Sequence, residues 1–211
     1  MKLTVFGATG GIGQEVVRQG LAAGHRVTAV VRDPARFTVT GDGLEVYTAA
    51  TFDDPEELRS AVAGRDAVLS GIGPSSRKAA GIAAPVTRSI LSAMDAAGVR
   101  RLVVVSAAPV GPVPRDEPLF GKLALGVVKV VLKPVYDDLA RMEEELARSG
   151  AHWTAVRPPQ LVDRPVTGVY RTVIDGNPRA GSKIGRADVA HAMLAMVDDP
   201  AVVKRAVGVA Y

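Results

Sequence analysis

The sequence predicts a doubly wound α/β fold, with a mostly parallel sheet of about seven strands in a single domain over 1–211 and a small extra portion towards the C-terminal end. Three observations predict it. Apolar runs of strand length recur with helical stretches between them, the pattern of a sheet covered on both faces. That alternation is sustained six times, and a glycine-rich turn stands directly between the first run and the first helix. With 211 residues, 47% of them hydrophobic, the chain can bury a real core.

Taken in order, Leu3–Phe6 is the first strand and Gly11–Ala23 the first helix, stopped by Gly24. Arg26–Val31 is a second strand, rich in valine, and Leu44–Tyr47 a short third. Asp54-Pro55-Glu56-Glu57 opens the next helix, with Asp54 at the N-cap, proline at the first helical position and a glutamate three residues after the cap. Ala67–Ser70 is the fourth strand, Ala79–Ala97 a long helix ended by Gly98, and Leu102–Ser106 a fifth strand of mostly β-branched residues. Ala107–Asp116, with its prolines at 109, 112 and 114, reads as a loop at the strand end where ligands sit. Leu119–Leu132 is strongly apolar but broken by Lys122 and Lys129, and suits a buried helix, a lid or a membrane-surface helix. Tyr136–Ser149 is a helix with Glu143-Glu144-Glu145 on its solvated face, and Trp153–Val156 the sixth strand. A strand or hairpin at Gly168–Ile174, a helix at Ala187–Val197 and a last strand at Ala206–Ala210 complete the reading.

Composition excludes several classes. The absence of cysteine removes disulfides, thiolate nucleophiles and cysteine-ligated metal, and leaves a cytoplasmic location the simplest expectation. His25, His152 and His191 stand in no metal-ligand spacing, so no metal site is expected. The net charge of +4 is scattered, and with 4% aromatic residues there is little material for base stacking, so no nucleic-acid partner is expected. Met1–Phe6 runs straight into Gly7 and reads as a strand, not a signal peptide, and no apolar run approaches the roughly eighteen residues of a membrane span.

The strongest chemical signal is Gly7-Ala8-Thr9-Gly10-Gly11-Ile12-Gly13. Between a strand and a helix, such a turn lets backbone approach a pyrophosphate, because glycine carries no Cβ to block it and the free N–H groups at the helix start favour negative charge. Gly7, Thr9, Gly10, Gly11, Ile12 and Gly13 are therefore candidate cofactor-binding residues. At the end of the second strand, where an adenosine ribose is read, stands Arg32, followed by Asp33 and, three residues on, Arg36. A guanidinium there pairs with a 2′-phosphate and favours NADP(H), whereas a carboxylate would take ribose hydroxyls. Arg32 as a plain surface residue and Asp33 as the reader or as a helix cap stay open. Thr51 and Phe52 follow the third strand, where adenine would rest, and Gly71, Ile72 and Gly73 follow the fourth, where small residues let a cofactor pass close to backbone.

Candidates for catalysis are Ser106 at the carboxyl end of the fifth strand, Tyr136 at the start of the next helix, and Gln160, which follows Pro158 and Pro159 after the sixth strand. All lie on the ligand side of the sheet, and Pro158 and Ser106 are also candidate cofactor contacts. Ser106 suits a hydrogen bond to a substrate carbonyl or to the nicotinamide end. Tyr136 lacks a cation to lower its pKa, since Ala140 occupies the position four residues on and Lys133 lies before Pro134. Gly176–Lys183 resembles a phosphate loop, but serine precedes its lysine and it reads as an ordinary loop. His191 reads as a packed helix residue, and no G-x-S-x-G elbow exists for a serine hydrolase.

The stretches Phe6–Gly13, Val30-Val31-Arg32-Asp33, Val62–Val68, Val105-Ser106-Ala107, Arg157-Pro158-Pro159 and Pro165–Tyr170 before Asp188-Val189-Ala190 carry a family likeness over nearly the whole chain. They resemble the atypical short-chain dehydrogenase/reductase superfamily, a Rossmann fold, and are most similar to its biliverdin reductase B/flavin reductase group, a branch close to the NmrA-like proteins. The resemblance implies NADP(H) held by Gly10, Gly13, Arg32 and Arg36, adenine near Thr51 and Phe52, and Ser106 facing nicotinamide and substrate. It implies hydride transfer to a flavin-like or tetrapyrrole acceptor without a tyrosine acid, which matches the missing Tyr-x-x-x-Lys pair. Gln160 stands where the biliverdin reductase B pattern has histidine, so biliverdin itself is a poor candidate while a flavin, quinone or other conjugated acceptor fits. The expected partners are a small-molecule acceptor and, at most, a second copy of the chain. Two rivals follow from the same departures: a non-catalytic NADP(H) sensor of NmrA type and, more weakly, an isomerase or dehydratase that uses bound cofactor.

Overall fold

The inner strands of the central sheet are built largely from Val, Leu, Ala and Thr that bury in both directions, so the sheet needs cover on both faces and receives it. The computed structural model describes residues 1–73, 80–114, 118, 126 and 129–211. In chain order the elements are β1 (Lys2–Phe6), α1 (Gly11–Ala22), β2 (Arg26–Val31), β3 (Leu44–Thr48), α2 (Pro55–Val62), β4 (Ala67–Ser70), α3 (Ala83–Ala96), β5 (Arg101–Val105), α4 (Lys133–Arg148), β6 (His152–Arg157), β7 (Gln160–Val162), β8 (Arg171–Ile174), β9 (Lys183–Gly185), α5 (Arg186–Ala195) and β10 (Arg205–Ala210).

The main sheet runs β3-β2-β1-β4-β5-β6-β10-β8, with every neighbouring pair parallel except β10–β8. Strand order reverses between β1 and β4, which makes their carboxyl ends the switch point where a doubly wound sheet opens a crevice. Side chains alternate between two cores. Leu3, Val5, Val103 and Val207 face α1 and α5, while Phe6, Val68, Val104 and Ala206 face α2, α3 and α4.

The expected doubly wound sheet is present, with eight strands where about seven were expected from its pattern of apolar runs. The strand or hairpin expected at Gly168–Ile174 is present as β8, Arg171–Ile174, which lies at the edge of the sheet and is exposed along its whole length. β7 and β9, three residues each, pair with each other in a separate parallel two-stranded sheet. Asp54 caps α2 as expected, accepting from the Glu56 N–H at 3.0 Å. Glu57 does not close the capping box; its carboxylate takes the N–H groups of Ala50 and Thr51 and so ties down the turn after β3.

The helix expected from Ala79 begins at Ala83, after Gly81 in the left-handed region with φ 97°. Its cap residue, Ile82, offers no side-chain acceptor, and the missing cap comes from α4: buried Asp138 accepts from the N–H groups of Gly81 at 3.0 Å, Ala83 at 2.9 Å and Ala84 at 3.2 Å. Most of the apolar segment Leu119–Leu132, and the end of the loop Ala107–Asp116, lie outside the described residues.

Candidate functional site

The glycine-rich turn folds as its composition demands. Gly7 sits at φ 70°, and a Cβ there would meet the Gly71 carbonyl carbon and the Ile72 nitrogen at 2.9 Å. A Cβ on Gly13 would lie 2.7 Å from the Gly7 carbonyl carbon and closer still to its oxygen, so Gly13 lets α1 press against the end of β1. Gly10 is the cap residue of α1, and among the described residues no side chain accepts from the helix's opening turn. Its position leaves that turn available to an anion.

Beside this turn, at the carboxyl ends of β1, β2 and β4, opens a cleft of about 640 Å³. Gly7, Thr9, Gly10, Arg32, Arg36, Phe52, Gly71, Ile72 and Gly73 line it, all of them among the candidate residues. Val30, Val31, Asp33 and Ile82 complete its wall; of these only Asp33 was weighed from the sequence, as ribose reader or helix cap. The Arg32 guanidinium lies 5.4 Å above the Phe52 ring centre and makes no ion pair among the described residues. Asp33 accepts from the Ala35 N–H at 3.1 Å and caps the short 3-10 turn Pro34–Arg36, the second of its two anticipated roles.

Gly11 borders a different hollow, under the side chain of Arg186, whose guanidinium pairs with Asp163 at 2.7 Å. Ile12 and Gly13 are buried behind the turn, and neither they nor Thr51, Ser106 and Pro158 line the cleft.

A second group of polar side chains gathers one strand further along. The Ser106 N–H bonds the Val156 carbonyl at 2.7 Å, fixing the serine at the joint carboxyl ends of β5 and β6. Its hydroxyl donates to Glu143 Oε1 at 2.6 Å; Arg157 Nε donates to the same oxygen at 2.9 Å and Nη2 to Oε2. The pair is largely enclosed, with side chains 11% exposed for Arg157 and 13% for Glu143. Glu143 is thus a correction to the expected solvated face: it lies one turn from Leu139 and just before Leu146, both buried, so helical period turns it inward. That spacing was the signal available in the sequence.

The remaining candidates fall elsewhere. Tyr136 is half-buried against the α2–α3–α4 core, and burial pushes its phenol above the ordinary 10.0, so it is poorly placed to release a proton near neutrality. Lys133, on the same helix, pairs with Asp137 at 2.6 Å. Gln160 is exposed at the start of β7, where its N–H bonds the Ser182 carbonyl at 3.3 Å, away from the cleft's lining. His191 is not packed inside: it is exposed, its Nδ1 shares a 2.7 Å hydrogen bond with the Tyr170 hydroxyl, and burial together with the charge of Asp188 pushes that phenol up to about 12. Among the described residues no group of three or more His, Asp or Glu could hold a metal, and no helix is long and apolar enough to cross a membrane.

A mostly parallel sheet with a glycine-walled cleft at its switch point, and with a helix start and a guanidinium at the second strand's end that no side chain pairs among the described residues, defines a dinucleotide-binding protein. The chain belongs to the NAD(P)H-binding family, whose model matches residues 7–200. It is 28% identical over 205 residues to a Bacillus subtilis protein described as an uncharacterized sugar epimerase, covering 94% of this chain and 89% of that one. It is 32% identical over 161 residues to the (4-alkanoyl-5-oxo-2,5-dihydrofuran-3-yl)methyl phosphate reductase of Streptomyces griseus, covering 74% of this chain but only 46% of that enzyme. A short-chain dehydrogenase/reductase from Veillonella parvula, solved in complex with NADP, superposes with a TM-score of 0.81 at 19% identity, over 100% of this chain and 94% of that one. The family likeness read from the sequence therefore stands.

Proposed function

We propose that this protein is an NADPH-dependent reductase that passes hydride to a conjugated or aromatic acceptor of flavin, quinone or pigment type. The observation that carries the cofactor choice is Arg32: a guanidinium at the carboxyl end of β2, unpaired among the described residues and stacked on Phe52, while the adjacent carboxylate of Asp33 is spent on Ala35. Arg36 adds a second positive charge to the same wall. The residues present fit such a group, because Gly7 and Gly71, where a Cβ would meet neighbouring backbone, let the chain ends of β1 and β4 close against the helix start that borders the cleft.

Bound NADPH would supply the hydride, with the accompanying proton drawn from water and NADP⁺ released. Gly10 and the opening turn of α1 hold the phosphates, Arg32 and Arg36 the 2′-phosphate, and Phe52 with Ile72 excludes water from the bases. No side chain serves as the proton donor in this reading: Glu143 is tied to Arg157, and the Tyr136 phenol is held neutral by burial.

Calorimetry with NADPH and NADH on the wild type and on Arg32→Ala tests the assignment. Losing a charge-assisted hydrogen bond to the 2′-phosphate costs about 1.5–3 kcal/mol, so NADPH should weaken about 10- to 150-fold while NADH barely changes. Equal loss for both would overturn it. Turnover of NADPH with a panel of flavins and quinones then separates the reductase from a second reading, a nucleotide sensor, which the commitment of the Ser106 hydroxyl to Glu143 favours.

A further inference from the structure

A serine hydroxyl has one proton and two lone pairs, whereas a carboxylate has only acceptors and a guanidinium only donors. In the Ser106–Glu143–Arg157 cluster these counts leave one arrangement. Arg157 grips both oxygens of Glu143, one through Nε and the other through Nη2, and the hydroxyl of Ser106 meets Oε1 at 2.6 Å. The carboxylate carries no proton to give, so the proton in the 2.6 Å contact is the serine's own, and it points at Glu143. What Ser106 keeps for any ligand is lone pairs. The serine stands at the carboxyl end of β5, next to β4, whose end loop Gly71–Gly73 walls the nucleotide cleft.

We propose that Ser106 is a specificity residue of inverted polarity: it accepts a hydrogen bond from an N–H group of the bound ligand and does not donate one to a carbonyl, with Glu143 as the positioning residue that fixes this. The inference rests on the reductase reading, and corrects the expectation that Ser106 donates to a substrate carbonyl. Arg157 makes the polarity permanent, because it pins Glu143 through two oxygens and leaves it no freedom to turn a lone pair elsewhere. Two sources offer the N–H: the carboxamide of the nicotinamide ring, or an imide of the acceptor, as in an isoalloxazine.

Binding measurements with paired probes distinguish them without requiring turnover. NADP⁺ is compared by calorimetry with its 3-acetylpyridine analogue, which replaces the carboxamide NH₂ by a methyl group. Riboflavin is compared with 3-methylriboflavin by fluorescence quenching on the NADP⁺-loaded protein. In the wild type one pair should show a preference for the N–H form that falls about five- to tenfold in Ser106→Ala, the worth of one hydrogen bond. The pair that responds identifies the source. In Glu143→Leu the same preference should vanish, since no acceptor then holds the serine proton; should that variant, which leaves Arg157 without its carboxylate, fail to fold, Ser106→Ala carries the test alone. Ratios unchanged by Ser106→Ala in both pairs overturn the inference while leaving the cofactor assignment intact. Failure of the wild type to bind NADP⁺ at all overturns the cofactor assignment, and this inference falls with it.

Discussion

Asp138→Ala tests whether α3 owes its start to a carboxylate from another helix. Asp138 is 2% exposed, and its two oxygens receive the N–H groups of Gly81, Ala83 and Ala84. Ile82 supplies no side-chain acceptor, and Pro85 has no N–H, so this carboxylate satisfies the opening turn. Removing a helix cap costs about 0.5–2 kcal/mol, and leaving a buried donor unpaired costs about 1–3 kcal/mol. Because one relaxed turn can recover part of the loss, about 3 kcal/mol is expected in all. At about 2–4 °C per kcal/mol for a chain of this size, Tm should fall by about 6–12 °C. Urea unfolding followed by circular dichroism reads the free energy directly. Asp138→Asn keeps one acceptor without the charge and should lose about half as much. Ile82 lines the nucleotide cleft, so the alanine variant should also bind NADP⁺ more weakly. A loss under about 1 kcal/mol, or equal losses for alanine and asparagine, would refute the reasoning.

Two further outcomes are expected. Asp188 is fully buried, and although burial raises its pKa, hydrogen bonds from the Tyr211 hydroxyl, the Thr167 and Gly168 N–H groups and the Thr167 hydroxyl outweigh that and hold it below the ordinary 3.8. Below that value the unfolded chain binds the proton first, so the stabilisation is complete above the ordinary carboxylate range and disappears as pH falls through the depressed folded value; the stability gap between wild type and Asp188→Asn should be flat above about pH 5 and close below about pH 4. Gly13→Ala and Gly73→Ala form a contrast, since the added Cβ meets the Gly7 backbone in the first and nothing within 4 Å among the described residues in the second. Thermal unfolding should show a loss of about 1–3 kcal/mol for Gly13→Ala with nucleotide binding abolished, and little change for Gly73→Ala; equal effects would argue against Gly13 as a packing glycine.

How far the sequence could be read depended on where each residue's partner lies. The turn Gly7–Gly13 and the pair Arg32–Asp33 were legible because their chemistry is local: the constraint on each glycine comes from the strand and helix it joins, and strand order puts Arg32 at the crevice. Asp138 and Glu143 were not legible as site residues because their partners are 54 to 57 residues away for the first, and 37 and 14 for the second. Their inward position was nonetheless encoded, since Asp138, Leu139, Met142, Glu143 and Leu146 share one helical face, and a carboxylate inside an apolar stripe signals a buried partner. Gln160 lies outside the cleft's lining for the opposite reason. Its place after the sixth strand suggested the ligand side of the main sheet, but pairing with β9 carries it into a separate small sheet.

That inward face gives α4 a role neither residue reveals alone. Asp138 fixes the start of α3, and with it Ile82 in the wall of the nucleotide cleft. Five residues on, about 7.5 Å along the same helix, Glu143 fixes Ser106 at the end of β5 and Arg157 at the end of β6. The buried stripe of Leu139, Met142 and Leu146 sets the helix against the sheet, and the two carboxylates convert that one packing register into two polar ones. A displacement of α4 along its axis would break both at once, each at the cost of leaving buried donors unpaired. The cleft and the serine beside it are therefore held in common register by one rigid element, as the proposed hydride transfer between a ligand in the cleft and one beside it would require.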